Sequence, residues 1–273
     1  MEKLIITAAL TGSVPTKEMN RFLPVSPEEI AESAQRCGEV GASIVHVHAR
    51  DVEGRPTLDA EVFARMHRAI CEHTDLIVQI STGGRAGADP EARSAAVRLI
   101  RPEMASLTTG STNFPDRVYE NSIGLIQQLA VVMRESGTKP EMEIFDAGMI
   151  PNAVELAEKG LAIPPLHFCF VLGNRGSMAA TAKNLLFLSE SIPADATWTV
   201  AALGRWQLPM ATLAIVMGGH VRVGLEDNLY YRKGEQASNE QLVARVARLA
   251  GELGRPIASP GEARAILHVG DRP

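Results

Sequence analysis

The sequence predicts an α/β protein of the (β/α)₈ TIM-barrel class, formed as one domain over residues 1–273. Three observations carry that prediction. Short β-rich runs alternate with longer amphipathic segments eight times along the chain. No Gly/Ser-rich linker or shift in composition divides it, and its length is that of one such barrel. Reactive residues also gather just after the β-rich runs, at the end where barrels of this class carry their active sites.

The first strand is expected over Lys3 to Ala9, followed by a helix from Pro27 to Val40 with Ser26 as N-cap and Pro27 at the first helical position. The second pair is Ala42 to His48 and Asp59 to His73, with Asp59 capping the helix. Leu76 to Ile80 precedes Pro90 to Ile100, Met104 to Leu107 precedes Asp116 to Ser136, and Glu141 to Phe145 precedes Pro151 to Lys159. The last three pairs are Leu166 to Leu172 with Met178 to Ser189, Thr197 to Ala202 with Pro209 to Met217, and His220 to Val223 with Glu240 to Leu253. A doubly wound open sheet competes with the barrel, but its G-x-G-x-x-G fingerprint is absent: only Gly12 follows LIITAAL.

Composition narrows the function. The chain is 45% hydrophobic and 22% charged, so it can bury a large core. A net charge of −5 and a pI near 5.8 give no electrostatic reason to expect nucleic-acid binding and point to small-molecule partners. Cys37, Cys71 and Cys169 are odd in number and far apart, which suits a reducing cytoplasm rather than a disulfide framework or a thiolate metal site. The N-terminal LIITAAL is too short for a secretory segment. The most membrane-like stretch, Trp198 to Val221, is interrupted by Arg205, Gln207, Pro209 and His220, so no membrane span is expected.

The strand ends offer Thr11; His46, His48 and Arg50; Ser81 and Thr82; Thr108 and Thr109; Glu143 and Asp146; Asn174; Arg205; and Arg222, Glu226 and Asp227. Side chains alternate along a strand, so His46 and His48 point the same way while Val45 and Val47 face the helices. Two imidazoles converging at a barrel mouth are the geometry of a divalent metal site, which needs about one more protein ligand. Glu226, just past the last strand, is the obvious carboxylate. Arg222 fits a role in orienting a neighbouring carboxylate and lowering its pKa, and Glu226 and Asp227 offer two carboxylates aimed in different directions. His67, His73, His167, His220 and His268 lack a same-face partner and read as structural or surface residues. Ser81 to Arg85, STGGR, brings hydroxyls and flexible backbone suited to a carboxylate.

The motifs LIITAALTG, HVHARD, QISTGG, PEMASL, FVLGNRG, ATWTVAALGRWQLP, GGHVRVGLEDN and NEQLVARVARLAGELGRPIA together resemble the β-keto acid cleavage enzymes, whose founding activity is 3-keto-5-aminohexanoate cleavage. The resemblance covers essentially the whole chain. It implies a zinc enzyme that joins a β-keto acid to acetyl-CoA and yields acetoacetate and a new acyl-CoA, working as a homo-oligomer for which a tetramer is one allowed state. It further implies that His46, His48 and Glu226 hold the zinc, that Asp227 is the general base with Arg222 as its dyad partner, and that Ser81, Gly84 and Ser106 hold the polar end of the keto acid. Where the aminohexanoate enzyme has an acidic residue for the substrate ammonium, this chain has Val14, which implies an uncharged keto acid. The residues that contact CoA are not identified by this resemblance.

Two other readings are open. A metal-dependent hydrolase of the amidohydrolase type also begins with H-x-H on a barrel strand, but would add a later histidine pair that the sequence lacks. A barrel that binds a ligand without catalysis would carry a broken set of site residues, and here the set is complete apart from Val14.

Overall fold

The computed structural model describes residues 2–83, 89–115 and 117–270. Eight parallel strands close into a barrel: β1 (Ile6–Ala9), β2 (Ile44–Val47), β3 (Ile77–Ile80), β4 (Met104–Thr108), β5 (Lys139–Ile144), β6 (His167–Leu172), β7 (Thr197–Ala202) and β8 (His220–Val223). Each pairs with its sequence neighbours, and β1 closes the ring against β8 with Thr7 beside Arg222. The eight expected strands are all present, shifted by no more than a few residues at their ends.

The helices are α1 (Pro27–Glu39), α2 (Ala60–His73), α3 (Pro90–Ile100), α4 (Ile123–Ser136), α5 (Ile150–Glu158), α6 (Ala182–Glu190), α7 (Gln207–Met217), α8 (Asn239–Glu252) and α9 (Pro260–Leu267). Ser26 and Asp59 cap α1 and α2 as the sequence indicates, and Ser26 forms a reciprocal capping box with Glu29. No helix of the described residues is long and apolar enough to cross a membrane. Trp198 to Val221 instead supplies part of β7, all of α7 and the start of β8.

One expected helix is only partly present. The stretch Asp116 to Ser136 begins with a strand, Arg117–Tyr119, that pairs antiparallel with Thr112–Phe114; Asp116 itself lies outside the described residues, and α4 starts only at Ile123, after the Ser122 cap. The alternation that builds this hairpin is too short for a strand signal. Phe114 and Tyr119 stack across it, with ring centroids 5.2 Å apart, and that contact joins the two arms.

The alternation of side chains divides the barrel into an outer apolar layer and an inner one of changing character. Val45, Val47, Val78, Ile80, Ala105 and Leu107 pack outward in the main core with the helices. Ile5, Ile44, Ile77 and Met104 form a separate cluster with Ala258, Ala263 and Leu267. The last helix, α9, which the sequence periodicity does not single out, therefore plugs the N-terminal end of the barrel. Its approach is fixed by backbone hydrogen bonds from Leu4 to Pro256 and from Ala258 to Leu4, both 2.8 Å. Continuing inward-facing positions from this floor reach Gln79, His46, Ser106 and Arg222 at the opposite end.

Leu267→Ala removes a fully buried side chain from this floor, and a loss of about 2 to 5 kcal/mol in unfolding free energy is expected by denaturant titration. Metal bound per folded molecule should stay unchanged, since the plug lies at the end of the barrel away from the histidines.

Candidate active site

At the C-terminal ends of the strands, His46, His48 and Glu226 bring one donor atom each within 4.8 Å of one another. His48 Nε2 lies 3.3 Å from Glu226 Oε1, and His46 Nε2 lies 3.7 Å from Glu226 Oε2. His46 is buried, and burial pulls its imidazole down to about 4, which keeps the ring neutral as a metal ligand requires. Its Nδ1 sits 2.6 Å from Gln79 Oε1 on β3, which aligns with His46 in register. An amide oxygen can only accept, so Nδ1 carries the proton and the lone pair of Nε2 faces Glu226.

Glu226 Oε2 is buried and has no hydrogen-bond partner within the protein. A carboxylate with one unpartnered oxygen beside His46 and the other oxygen beside His48 fits a divalent cation, and two imidazole nitrogens with one carboxylate form a donor set that suits zinc. Among the described residues no other group of metal-ligating side chains of this size converges.

Glycines permit this approach. Gly12, after β1, has φ +63°, and a Cβ there would stand 2.6 Å from Glu226 Cγ. The loop around it is held by Arg50, which donates to the carbonyls of Gly12, Pro15 and Gly54 at 2.8 to 2.9 Å. Arg50 reads in the sequence as a reactive strand-end residue; in the structure it is buried scaffolding, and Asp51 likewise closes a local turn with Arg55.

Arg222 is the other half of the site. Buried at the end of β8, it donates to Asp227 through Nε (2.9 Å) and Nη2 (3.1 Å), and to Glu226 Oε1 through Nη2 (2.6 Å). Its Nη1 lies 3.6 Å from Glu143 Oε1, and Glu143 accepts a 2.6 Å hydrogen bond from Thr108. Burial pushes the Asp227 carboxyl up to about 6, with Arg222 opposing and Glu226 adding to the shift. Burial likewise raises Glu143, while Arg222 and the two histidines overcome it at Glu226 and hold that carboxylate well below its ordinary range.

Ser81, Val14, Glu143, Arg222, Glu226 and Asp227 share one cavity of about 1270 Å³ with His48. A Cβ at Gly83 would lie 3.1 Å from Ser81 Oγ, 3.3 Å from Tyr119 Oη and 3.8 Å from His48 Cε1, so these groups surround a small volume that glycine leaves open. Gly84 lies outside the described residues. Ser106 is buried behind this turn, where its Oγ accepts from Thr82 N at 3.4 Å and its carbonyl from Thr82 Oγ1 at 2.7 Å. His167 and His220 are buried together in the barrel interior with ring centroids 6.3 Å apart, and His167 lies 3.2 Å from Glu141.

The chain matches the family model described as beta-keto acid cleavage enzyme over residues 3–269. The protein belongs to the β-keto acid cleavage enzyme family. A "3-keto-5-aminohexanoate cleavage enzyme" of Fusobacterium nucleatum is 51% identical over 98% of both chains. A "3-oxoadipate:acetyl-CoA acetyltransferase" of Cupriavidus necator is 43% identical over 96% of this chain and 94% of its own. Among solved structures, the apo structure of ObcA superposes with a TM-score of 0.78 at 20% identity over 92% of this chain and 66% of that one, a likeness of fold.

In this family member, sequence reasoning overlooks three residues. Gln79 carries a readable signal, a polar side chain inside an apolar strand. Tyr119 and Arg93 do not: Tyr119 falls in an expected helix, and Arg93 looks like an ordinary helix-surface charge. In the structure Arg93 is buried and ties the mouth loops together, donating to Thr82 O at 2.7 Å and Asn121 Oδ1 at 2.8 Å.

His46→Ala is expected to lose most bound divalent metal. Gln79→Leu, which removes the acceptor that orients His46, should weaken metal affinity about 10- to 100-fold while the protein stays folded. Chelator competition and elemental analysis measure both, and stoichiometric metal in purified His46→Ala would move the centre elsewhere.

Proposed function

We propose that this protein transfers an acyl group from a β-keto acid to CoA, consuming acetyl-CoA and releasing acetoacetate and the new acyl-CoA, on a zinc site formed by His46, His48 and Glu226. The observation that carries the reading is the bidentate Arg222 and Asp227 pair set beside the two-histidine, one-carboxylate cluster in a single cavity. A hydrolase of the amidohydrolase type finds no support in a later pair of histidine ligands among the described residues.

A divalent cation held by His46, His48 and Glu226 would supply Lewis acidity that makes the carbon next to the keto group a far stronger acid. Asp227 takes a proton from that carbon. Its buried carboxyl, shifted up to about 6, is a stronger base than an exposed aspartate, and the paired guanidinium keeps its oxygens aligned. The carbanion forms a carbon–carbon bond to the thioester carbonyl of acetyl-CoA and expels the CoA thiolate. That thiolate attacks the original keto carbon. The bond between that carbon and the deprotonated one then breaks, leaving the acyl-CoA and the acetoacetate carbanion, to which Asp227 returns its proton. Arg222 stays cationic throughout, since Asp227 and Glu226 outweigh burial and hold it well above its ordinary pKa. Ser81, Gly84 and Ser106 are assigned to the polar end of the keto acid, Ser81 directly from the cavity wall and Ser106 through the Thr82 turn.

Val14 lines the same cavity and is 57% exposed. It presents no charge to a substrate tail, which favours an uncharged keto acid. Its exposure leaves an ammonium partly hydrated, so the discrimination is modest. Acetyl-CoA with a panel of β-keto acids, followed by mass spectrometry of the acyl-CoA products, tests the activity and ranks the acyl groups. Absence of any new acyl-CoA across the panel would refute it.

Asp227→Asn should keep its metal and lose at least about 100-fold in kcat. Near wild-type turnover would pass the base role to Glu143. Val14→Glu should shift kcat/KM toward an amino-substituted keto acid by about tenfold, or about 1.4 kcal/mol, in competition with a neutral acid of matched length. A wild-type preference for the cationic acid would remove Val14 from the selectivity position.

A further inference from the structure

The cavity is larger than its chemistry at the metal cluster requires. At about 1270 Å³ it exceeds the roughly 300 to 1,000 Å³ that encloses a drug-sized ligand, and a short keto acid fills only a fraction of that. Val14, His48, Arg222 and Glu226 lie on or just after β1, β2 and β8, whereas much of the remaining lining comes from the segments after β3 and β4: the start of α3, the Thr112 to Tyr119 hairpin and the start of α4.

The walls of this arm combine Phe114, Pro115, Val118 and Leu125 with the charged Asp89, Arg93, Arg117 and Glu120, and Ser122 and Gln128 add hydrogen-bonding groups. Val118 stands 61% exposed there. Gly124 lines the arm, and a Cβ built on it meets nothing within 4 Å, so open space faces the second residue of α4. One helical turn further on, about 6 Å along the axis, Gln128 borders a second groove of about 250 Å³ between α3 and α4, shared with Pro90 and continuing past Ser94 to Arg98. A passage thus leads from the reacting residues to the outside of the barrel, with apolar and charged side chains along its walls and the Gln128 amide where it meets the second groove.

We propose that this arm, kept open by Gly124, is the channel for the pantetheine chain of acetyl-CoA, with the thioester at Asp227 and Glu143 and the nucleotide outside, over the α3 and α4 groove. The assignment rests on the acetyl-CoA reading above. Pantetheine is long, thin and flexible, with methyl groups for Phe114, Val118 and Leu125 and two amides for polar groups such as Gln128, and its charged phosphates remain in water. The keto acid tail is a poorer occupant, because the loop after β1 already borders it at Val14.

The test compares two thioesters, acetyl-CoA and S-acetyl-N-acetylcysteamine, the second lacking most of the chain. Gly124→Leu places a side chain in the arm without meeting protein, and Gln128→Trp narrows it from an exposed position that cannot disturb the barrel core. Each variant should raise KM for acetyl-CoA at least tenfold, keep wild-type metal content, and process S-acetyl-N-acetylcysteamine as wild type does. Unchanged KM for acetyl-CoA in both variants overturns the channel, as does an equal loss with both thioesters, which would place the effect at the reacting end. If wild-type protein forms no acyl-CoA with any keto acid, the functional reading fails instead, and direct calorimetric binding of CoA to wild type and Gly124→Leu still decides whether the arm holds it: equal affinity overturns the channel.

Discussion

The mouth of this barrel depends on one buried guanidinium. Arg222 sits in the protein interior with Asp227, Glu226 and Glu143 around it. A lone buried cation would cost several kcal/mol, so each carboxylate is held as firmly by the arginine as the arginine is by it. The arrangement separates two adjacent acids by role. Glu226 turns one oxygen to Arg222 and leaves the other unpartnered toward the histidines, while Asp227 takes the bidentate face and is raised by burial. The backbone must bend closely to allow this. Gly224 has φ +145°, where a Cβ would collide with Ala9 O at 2.1 Å, and Gly12 yields space to Glu226 itself.

Other buried arginines act on the frame rather than on a ligand. Arg50 gathers carbonyls of the loop after β1, Arg93 ties the turn after β3 to the segment after the hairpin, and Arg255 collects Glu2, Ile215, Gly218 and Gly219 carbonyls at the opposite end. Loop carbonyls near a barrel rim cannot all find partners in strands or helices, and one planar group with five N–H donors satisfies several at once. The rim is thereby held in place around a cavity that remains open.

The floor and the mouth are built from the same alternation. The inward positions Ile5, Ile44, Ile77 and Met104 are apolar at the N-terminal end, where α9 seals them, and those of β2 to β4 become polar toward the C-terminal end, whereas Glu141, His167 and His220 place polar groups inside the other half of the barrel. Among the described residues, buried polar atoms without a hydrogen-bond partner occur both in the barrel interior, at Thr7 and Glu141, and at the mouth, at Gln79, Arg222 and Glu226.

The sequence by itself determined the barrel, because eight alternations of period-2 and helical patterns record which residues must be buried, and parallel strands leave little choice of order. It also determined the pairing of His46 with His48, since two residues along a strand return to the same face. Only the tertiary structure decided what lies across from them. The contacts of Gln79 with His46, of Gly12 with Glu226, and of Tyr119 with the turn at Gly83 join segments far apart in the chain, and no local period encodes such a distance. The role of Arg50 is hidden for the same reason: in the sequence its neighbours are the histidines, whereas in the fold its guanidinium turns to the carbonyls of the loop after β1.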